Sequence, residues 1–226
     1  MRKLLVILLA ILCSSISIAH IGHYNKYKKI ELEIFRNGEL IGYNNYFFKR
    51  KGDETVVTNQ IKFSVKILGI NIFQVESYGE EKYFKDKLIS FNSQTLQNGK
   101  KKFVNLLYNE NTKKFDIKGS SYNGEAAINT VIGNWWNHKI LQTDAQISPI
   151  SGSIKKQIVT FMGKKKINLY GKNYEVDHFI LKSNDATLPE NKRLNFNIWY
   201  DSENSRIVKV SYSRMGDWEY RFKSYE

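Results

Sequence analysis

Apolar and polar positions alternate along most of this chain, and the alternation is cleanest over residues 194–222. Leu194, Phe196, Ile198 and Tyr200 alternate there with Asn195, Asn197 and Trp199. Val208, Val210 and Tyr212 then alternate with Lys209, Ser211 and Ser213, and Trp218, Tyr220 and Phe222 with Glu219 and Arg221. A period of two places each apolar set on one face of a strand. The breaks, Asp201-Ser202-Glu203-Asn204-Ser205 and Met215-Gly216-Asp217, supply residues that accept turn geometry and bond their own backbone. These residues predict three antiparallel strands with one wet face.

The same pattern runs through the first half. Ile30, Leu32 and Ile34 alternate with Glu31 and Glu33 and stop at Asn37-Gly38, the strongest short hairpin signal, so residues 40–48 are expected to pair back on the first strand. Lys51-Gly52-Asp53 turns the chain into residues 55–65. Leu68-Gly69-Ile70 reads as a bulge or a corner of a curled sheet, and Gly79 as a kink in the strand over residues 73–83. A hairpin at Lys85-Asp86 and a second Asn-Gly pair, Asn98-Gly99, lead on to residues 103–107 and then to Phe115 and Ile117. The alternation resumes at Ile154, with turns expected at Gly163-Lys164-Lys165 and Gly171-Lys172-Asn173. Between the halves, Ala126, Ala127, Thr130, Val131, Ile132, Trp135, Trp136, Ile140 and Leu141 follow spacings of three and four, which predicts one or two short helices. The fold class expected is all-β: an antiparallel meander of about ten to thirteen strands with a short helical insert. Twist makes sheets of that size curl into a half-barrel or barrel.

The N-terminus changes where that domain is expected to work. Met1-Arg2-Lys3, the unbroken apolar run of residues 4–12 and the small residues Ser17 and Ala19 have the order of a secretory signal peptide. The run is too short to span a bilayer, which takes about 20 residues. Cys13 invites a lipoprotein reading, but Leu12 is bulky where that processing favours a small residue. Residues 1–19 are therefore assigned to the signal and residues 20–226 to a single exported domain, most simply periplasmic. Without Cys13 the domain has no cysteine, and its stability rests on packing. The formal charge of +13, less Arg2 and Lys3, stays strongly basic at +11. Anionic lipid head groups or envelope polyanions suit such a field, so peripheral membrane contact is open to it. Lysine also blunts sheet edges and needs no partner to explain it.

The second half carries motifs that resemble a known family. Ile132-Gly133-Asn134-Trp135-Trp136-Asn137 is followed by Ile198-Trp199-Tyr200-Asp201 and then by Gly216-Asp217-Trp218-Glu219-Tyr220. This is similar to a family of exported bacterial proteins of unknown function in which a Trp-Asn pair precedes a β half whose last hairpin carries Leu-Trp-Tyr-Asp. Ile132, Gly133 and Asn134 depart from the small or hydroxyl residues usual before the pair, and Thr143-Asp144-Ala145-Gln146 only loosely echoes that family's Asp-Thr-Gln segment. The resemblance implies export and an all-β body and brings no activity. A curled sheet with an insert also looks like periplasmic lipoprotein-carrier half-barrels, a likeness of architecture alone.

Reactive chemistry is sparse. His20, His23, His138 and His178 lack the spacing of a zinc site, and no metal or other cofactor is expected. Asp177 and His178 fall on opposite strand faces and cannot act as orienter and base together. No serine sits in a Gly-x-Ser-x-Gly elbow. Glu31 with Glu33, and Glu80-Glu81, read as solvated strand faces. The protein is therefore expected not to be an enzyme, with a hydrolase of dispersed residues as the third-ranked alternative. The aromatic residues carry more information. Trp135, Trp136, Trp199, Tyr200 and Trp218 either fill the core or line the mouth of a cavity for an apolar or amphiphilic ligand: a lipid, an acyl chain or a lipoprotein segment. A scaffold that contacts other envelope proteins around a packed interior is the alternative. Nucleic acid is not expected as a partner, and oligomeric state is open.

Overall fold

Fifteen strands make up the described residues, and short turns set their order. The computed structural model describes residues 24–226; the expected signal segment with Cys13, and His20 and His23, lie outside them. The strands are β1 (Lys29–Arg36), β2 (Glu39–Lys51), β3 (Glu54–Ile67), β4 (Ile70–Phe84), β5 (Lys87–Gln97), β6 (Lys100–Asn109), β7 (Lys114–Gly119) and β8 (Asn123–Ala127). There follow β9 (Val131–Ile132), β10 (Ala145–Ile147), β11 (Ile154–Leu169), β12 (Lys172–Ser183), β13 (Asn195–Asp201), β14 (Ile207–Ser213) and β15 (Asp217–Tyr225). Five hairpins turn on two residues with positive φ, as type I′ geometry requires: Asn37-Gly38, Leu68-Gly69, Lys85-Asp86, Asn98-Gly99 and Tyr170-Gly171.

The sheet order is β8-β7-β6-β5-β4-β3-β2-β1-β15-β14-β13-β12-β11-β10-β9, so the first and last strands pair at its centre. All ladders are antiparallel except β9 with β10. The two outermost strands, β8 and β9, are separated in sequence only by Ile128, Asn129 and Thr130. Three residues reach roughly 10 Å, so the sheet must curl until its two ends nearly meet. The result is a barrel-like shell with a seam at Asn129, whose carbonyl accepts from the Thr143 hydroxyl at 2.9 Å.

Within the shell lies the segment that links β9 to β11. Trp136 is 0% exposed and meets the rings of Tyr24, Phe48 and Tyr83 edge-on, at centroid distances of 5.1, 5.3 and 6.0 Å. Trp135 meets Phe196 at 5.0 Å and Tyr220 at 6.2 Å. These partners come from strands well apart in the sheet order, which places the two tryptophans in the lumen. One core cluster joins them to Ile30, Leu32, Tyr46, Leu181, Ile198 and Val210. A second, around Phe91, Val104, Leu106, Phe115 and Ile117, takes in Ile132 and Ile147.

Several local expectations are corrected. The insert contains one five-residue 3-10 turn, His138–Gln142, capped by the Asn137 side chain on the Lys139 N–H at 3.0 Å, and is otherwise extended or looped. Its apolar residues lose the period of two because they are buried on all sides, not because they form a helical face. Leu68-Gly69 is a hairpin turn, not a corner. Gly79 lies in unbroken β4, where a Cβ would sit 3.2 Å from the Phe91 ring, so close ring packing and not a kink explains it. Gly163 makes no turn: β11 runs through it, with Met162 as the extra residue of a bulge opposite β12. The short strands β8, β9 and β10 raise the count above the number expected.

Candidate functional site

The lumen has a packed half and a hollow half, and the polar side chains that fasten the inner segment separate them. Tyr46, inward on β2, accepts the Trp135 N–H at 3.2 Å, while Tyr200, inward on β13, donates to the Trp135 carbonyl at 2.8 Å. Tyr24 donates to the Ser205 carbonyl at 2.9 Å and accepts the His138 N–H at 3.1 Å. Glu81 on β4 is only 3% exposed. One of its oxygens accepts from the Asn134 amide at 2.6 Å and from the Trp136 indole at 3.0 Å, and the other accepts from the Tyr83 hydroxyl. Burial pushes the Glu81 carboxyl up and the three donors pull it part of the way back, leaving it at about 7. Burial likewise raises the Tyr46 and Tyr200 hydroxyls, which stay neutral donors and acceptors.

Three adjoining cavities open where this fastening ends, and all three are lined by Tyr220. The first, about 680 Å³, lies between Trp135, Leu194, Phe196 and Tyr212 and the polar loop with Asp185, Glu190 and Arg193. The second, about 450 Å³, is bounded by Ile61, Phe63, Val65, Phe73, Val75 and Trp218, with Arg36, Arg214, Ile72 and Met215 at its rim. The third, about 190 Å³, shares Ile61 and Ile150 with the second and Trp135 and Phe196 with the first, and carries the polar groups of Asn44, Asn59, Ser77 and Ser93. Trp218 is held in place by an indole bond to the Arg214 carbonyl at 3.0 Å and stacks on Tyr212 at 5.7 Å. Tyr212 donates to Tyr220, whose hydroxyl burial lifts to about 12. The second cavity is therefore apolar and aromatic with Arg36 and Arg214 at its rim, while the rim of the first carries both signs; an apolar wall with a cationic rim is the pattern expected for a site that takes an apolar body with a polar or anionic end. A broader groove on the convex face, about 790 Å³, runs between Tyr43, Tyr78, Leu96 and Phe103 and is more open to solvent.

The five aromatic residues singled out from the sequence separate into three places. Trp135 and Trp218 line the hollow. Trp136 and Tyr200 belong to the packed half, one as its central ring and the other as a fastener of the backbone. Trp199 faces away from Ile198, as its parity requires, and so lies on the convex face. There it stacks on His178 at 4.7 Å with the Lys209 ammonium 5.5 Å from its ring. Parity thus removes Trp199 from the cavity mouth to which it had been assigned. Glu81 corrects a second expectation: it is buried, and only its neighbour Glu80 faces solvent. The signal was present in sequence, since Glu81 shares parity with Val75 and Tyr83, both inward on the same strand.

Among the described residues, no group of three or more histidine, cysteine or acidic side chains is placed to hold a metal ion. His138 lies beside Tyr24 at the inner segment, while His178 is on the convex face with Asn197 at 3.0 Å. Glu81 is the one carboxylate among the buried side chains of the described residues, and its three hydrogen bonds all hold the fold together.

Comparison with known proteins gives a family and a fold. A family model described as Domain of unknown function (DUF6134) matches residues 32–223. No curated protein matches the chain. Among solved structures it is similar to a beta-barrel-like protein of the domain of unknown function DUF1849 from Brucella abortus, at 7% identity and a TM-score of 0.59, over 88% of this chain and 96% of that one. At that identity the likeness is one of fold. A DUF1329 family protein from Desulfovibrio piger aligns over 91% of this chain and 88% of its own at 10% identity, with a TM-score of 0.24, too low for a structural comparison.

Proposed function

The chain belongs to the DUF6134 family, whose description carries no activity, and on that premise we propose a function from the geometry of the lumen. The protein is a non-catalytic binder of an elongated amphiphile, such as a fatty acid or the acyl portion of a lipid, and works after export from the cytoplasm. One observation carries this reading: three neighbouring cavities share Tyr220 in their aromatic walls, and Arg36 and Arg214 stand at the rim of one of them. Burying an acyl chain there would gain about 0.8 kcal/mol for each methylene removed from water. The rim arginines would meet a carboxylate or phosphate. The signal-like N-terminus and the basic surface support the envelope setting.

Titration with a fluorescent long-chain fatty acid, read by energy transfer from tryptophan, tests the proposal, because Trp135 and Trp218 line the hollow. Saturable binding is expected. Arg214→Glu should weaken it about tenfold for the acid and little for the corresponding alcohol. No saturation, or equal affinities for acid and alcohol in both proteins, would contradict the assignment. The scaffold alternative predicts the first of those outcomes.

A further inference from the structure

Two hairpin tips at the open end of the hollow carry side chains that the fold itself does not use. Leu68 is 96% exposed and Met215 86%, the two most exposed large apolar residues among those described. Both sit at positive φ, 49° and 51°, a conformation that disfavours residues with a Cβ and is best tolerated by glycine, asparagine and aspartate. The chain shows what it does where only a turn is needed. Asn37-Gly38 and Asn98-Gly99 make two-residue turns of the same φ signs at the same end of the sheet. At the opposite end Tyr170-Gly171 and Lys85-Asp86 depart from asparagine, but the Tyr170 hydroxyl donates to Glu33 at 2.7 Å and the Lys85 ammonium pairs with Asp53 at 3.7 Å. Leu68 departs from it with its side chain almost wholly in water.

The surroundings say what Leu68 meets. Ile67, Ile70 and Ile72 extend the same tip and are exposed. Ile72 and Met215 both line the cavity that holds Trp218, together with Arg36 and Arg214. Lys62 and Lys66 flank the tip on β3, and Lys100 and Lys101 follow the neighbouring Asn98-Gly99 turn. The acids near this end are Glu76, which pairs with Lys62 at 3.2 Å, Glu39 and Asp217 in the adjoining turns, and Asp185 and Glu190 in the β12–β13 loop, which also carries Lys192 and Arg193. An apolar point set among lysines on a protein of charge +13 fits an interface with acyl chains below and anionic head groups around. We infer that the β3–β4 hairpin tip, with Met215 beside it, docks the protein on an anionic lipid bilayer and sets the mouth of the hollow against the membrane. This deepens the amphiphile reading by naming where the ligand enters, and rests on that reading only for what passes through the mouth.

Sedimentation with phosphatidylcholine vesicles, with and without phosphatidylglycerol, tests the docking. The wild-type chain should pellet with the anionic vesicles, less as salt is raised, and little with neutral ones. Leu68→Asn installs the residue the other two tips use, so its urea midpoint should equal or exceed that of the wild type. Its partition onto anionic vesicles should fall about tenfold or more, the loss of one buried leucine. Failure of the wild type to pellet, equal partition onto neutral vesicles, or unchanged partition of Leu68→Asn would each overturn the inference. So would loss of a self-association in Leu68→Asn with vesicle binding intact, since the tip would then be a protein contact. In vesicle-free solution Leu68→Asn should bind the fluorescent fatty acid like the wild type. A chain that docks but binds no fatty acid would sink the amphiphile reading and leave the docking standing.

Discussion

Glu81 shows how one side chain can tie sequence, fold and pH response together. Its parity on β4 sends it inward, where it is 3% exposed and takes three donors, two of them from the inner segment. A folded-state pKa of about 7 lies above the ordinary carboxylate value of 4.5. The folded chain therefore holds a proton that the unfolded chain has lost between those two values. The stability contribution is fully present below about 4.5, is lost as pH rises through about 7, and amounts to at most about 3 kcal/mol. Glu31, Glu33 and Glu219 have the opposite sign, because lysine, arginine and hydroxyl partners hold their carboxyls below the usual range; their stabilisation disappears as pH falls through that range. Burial lowers His178, which also favours the fold as pH rises. Comparing wild type with Glu81→Gln cancels these shared contributions. In urea unfolding, the advantage of wild type over Glu81→Gln should shrink between about pH 5 and about pH 8. An advantage that stays constant or grows would mean that Glu81 is ionised throughout.

At the scale of elements, the inner segment divides the aromatic residues by role. Trp136→Ala would empty a fully enclosed site and leave Glu81 one donor short, so it should cost about 3–5 kcal/mol by chemical denaturation. Trp199→Ala, on the convex face against His178, should cost about 1 kcal/mol or less. Equal costs would contradict the placement of Trp136 at the centre of the packed half. The strands were legible because each has one wet face: β1, β13 and β15 could be read from their alternation, whereas a bulge in β14 puts Val208 in the cluster with Trp199 and not with Ile207 and Val210. The inner segment was not legible, since Trp135, Trp136 and Ile140 are enclosed by strands from both halves of the sheet, and burial on every side erases periodicity. Leu68-Gly69 was misread for a local reason: leucine is an unusual first residue for such a turn, and that oddity is what the docking inference explains. The Glu80-Glu81 pair was misread by weighing charge over parity.

At the scale of the whole molecule, closure and hollowness follow from the same topology. With β8 and β9 tied by three residues, the sheet encloses a volume that its own inward side chains do not fill. The inner segment fills one half, and the other half remains lined by Phe63, Phe196, Tyr212, Tyr220, Trp135 and Trp218. The barrel-like neighbour agrees with this architecture, and the family model assigns it no task. Of the five aromatic residues singled out from the sequence, Trp135 and Trp218 line the hollow, but which rings face one lumen depends on pairing across distant strands. Native mass spectrometry of the protein as purified from its own cells, beside an Ile61→Trp variant that narrows the hollow, tests the central claim most directly. The account predicts a discrete adduct with the mass of a fatty acid or lipid on the wild type, diminished on a folded Ile61→Trp. A wild type that carries no adduct, or an adduct that Ile61→Trp retains in full, would contradict it.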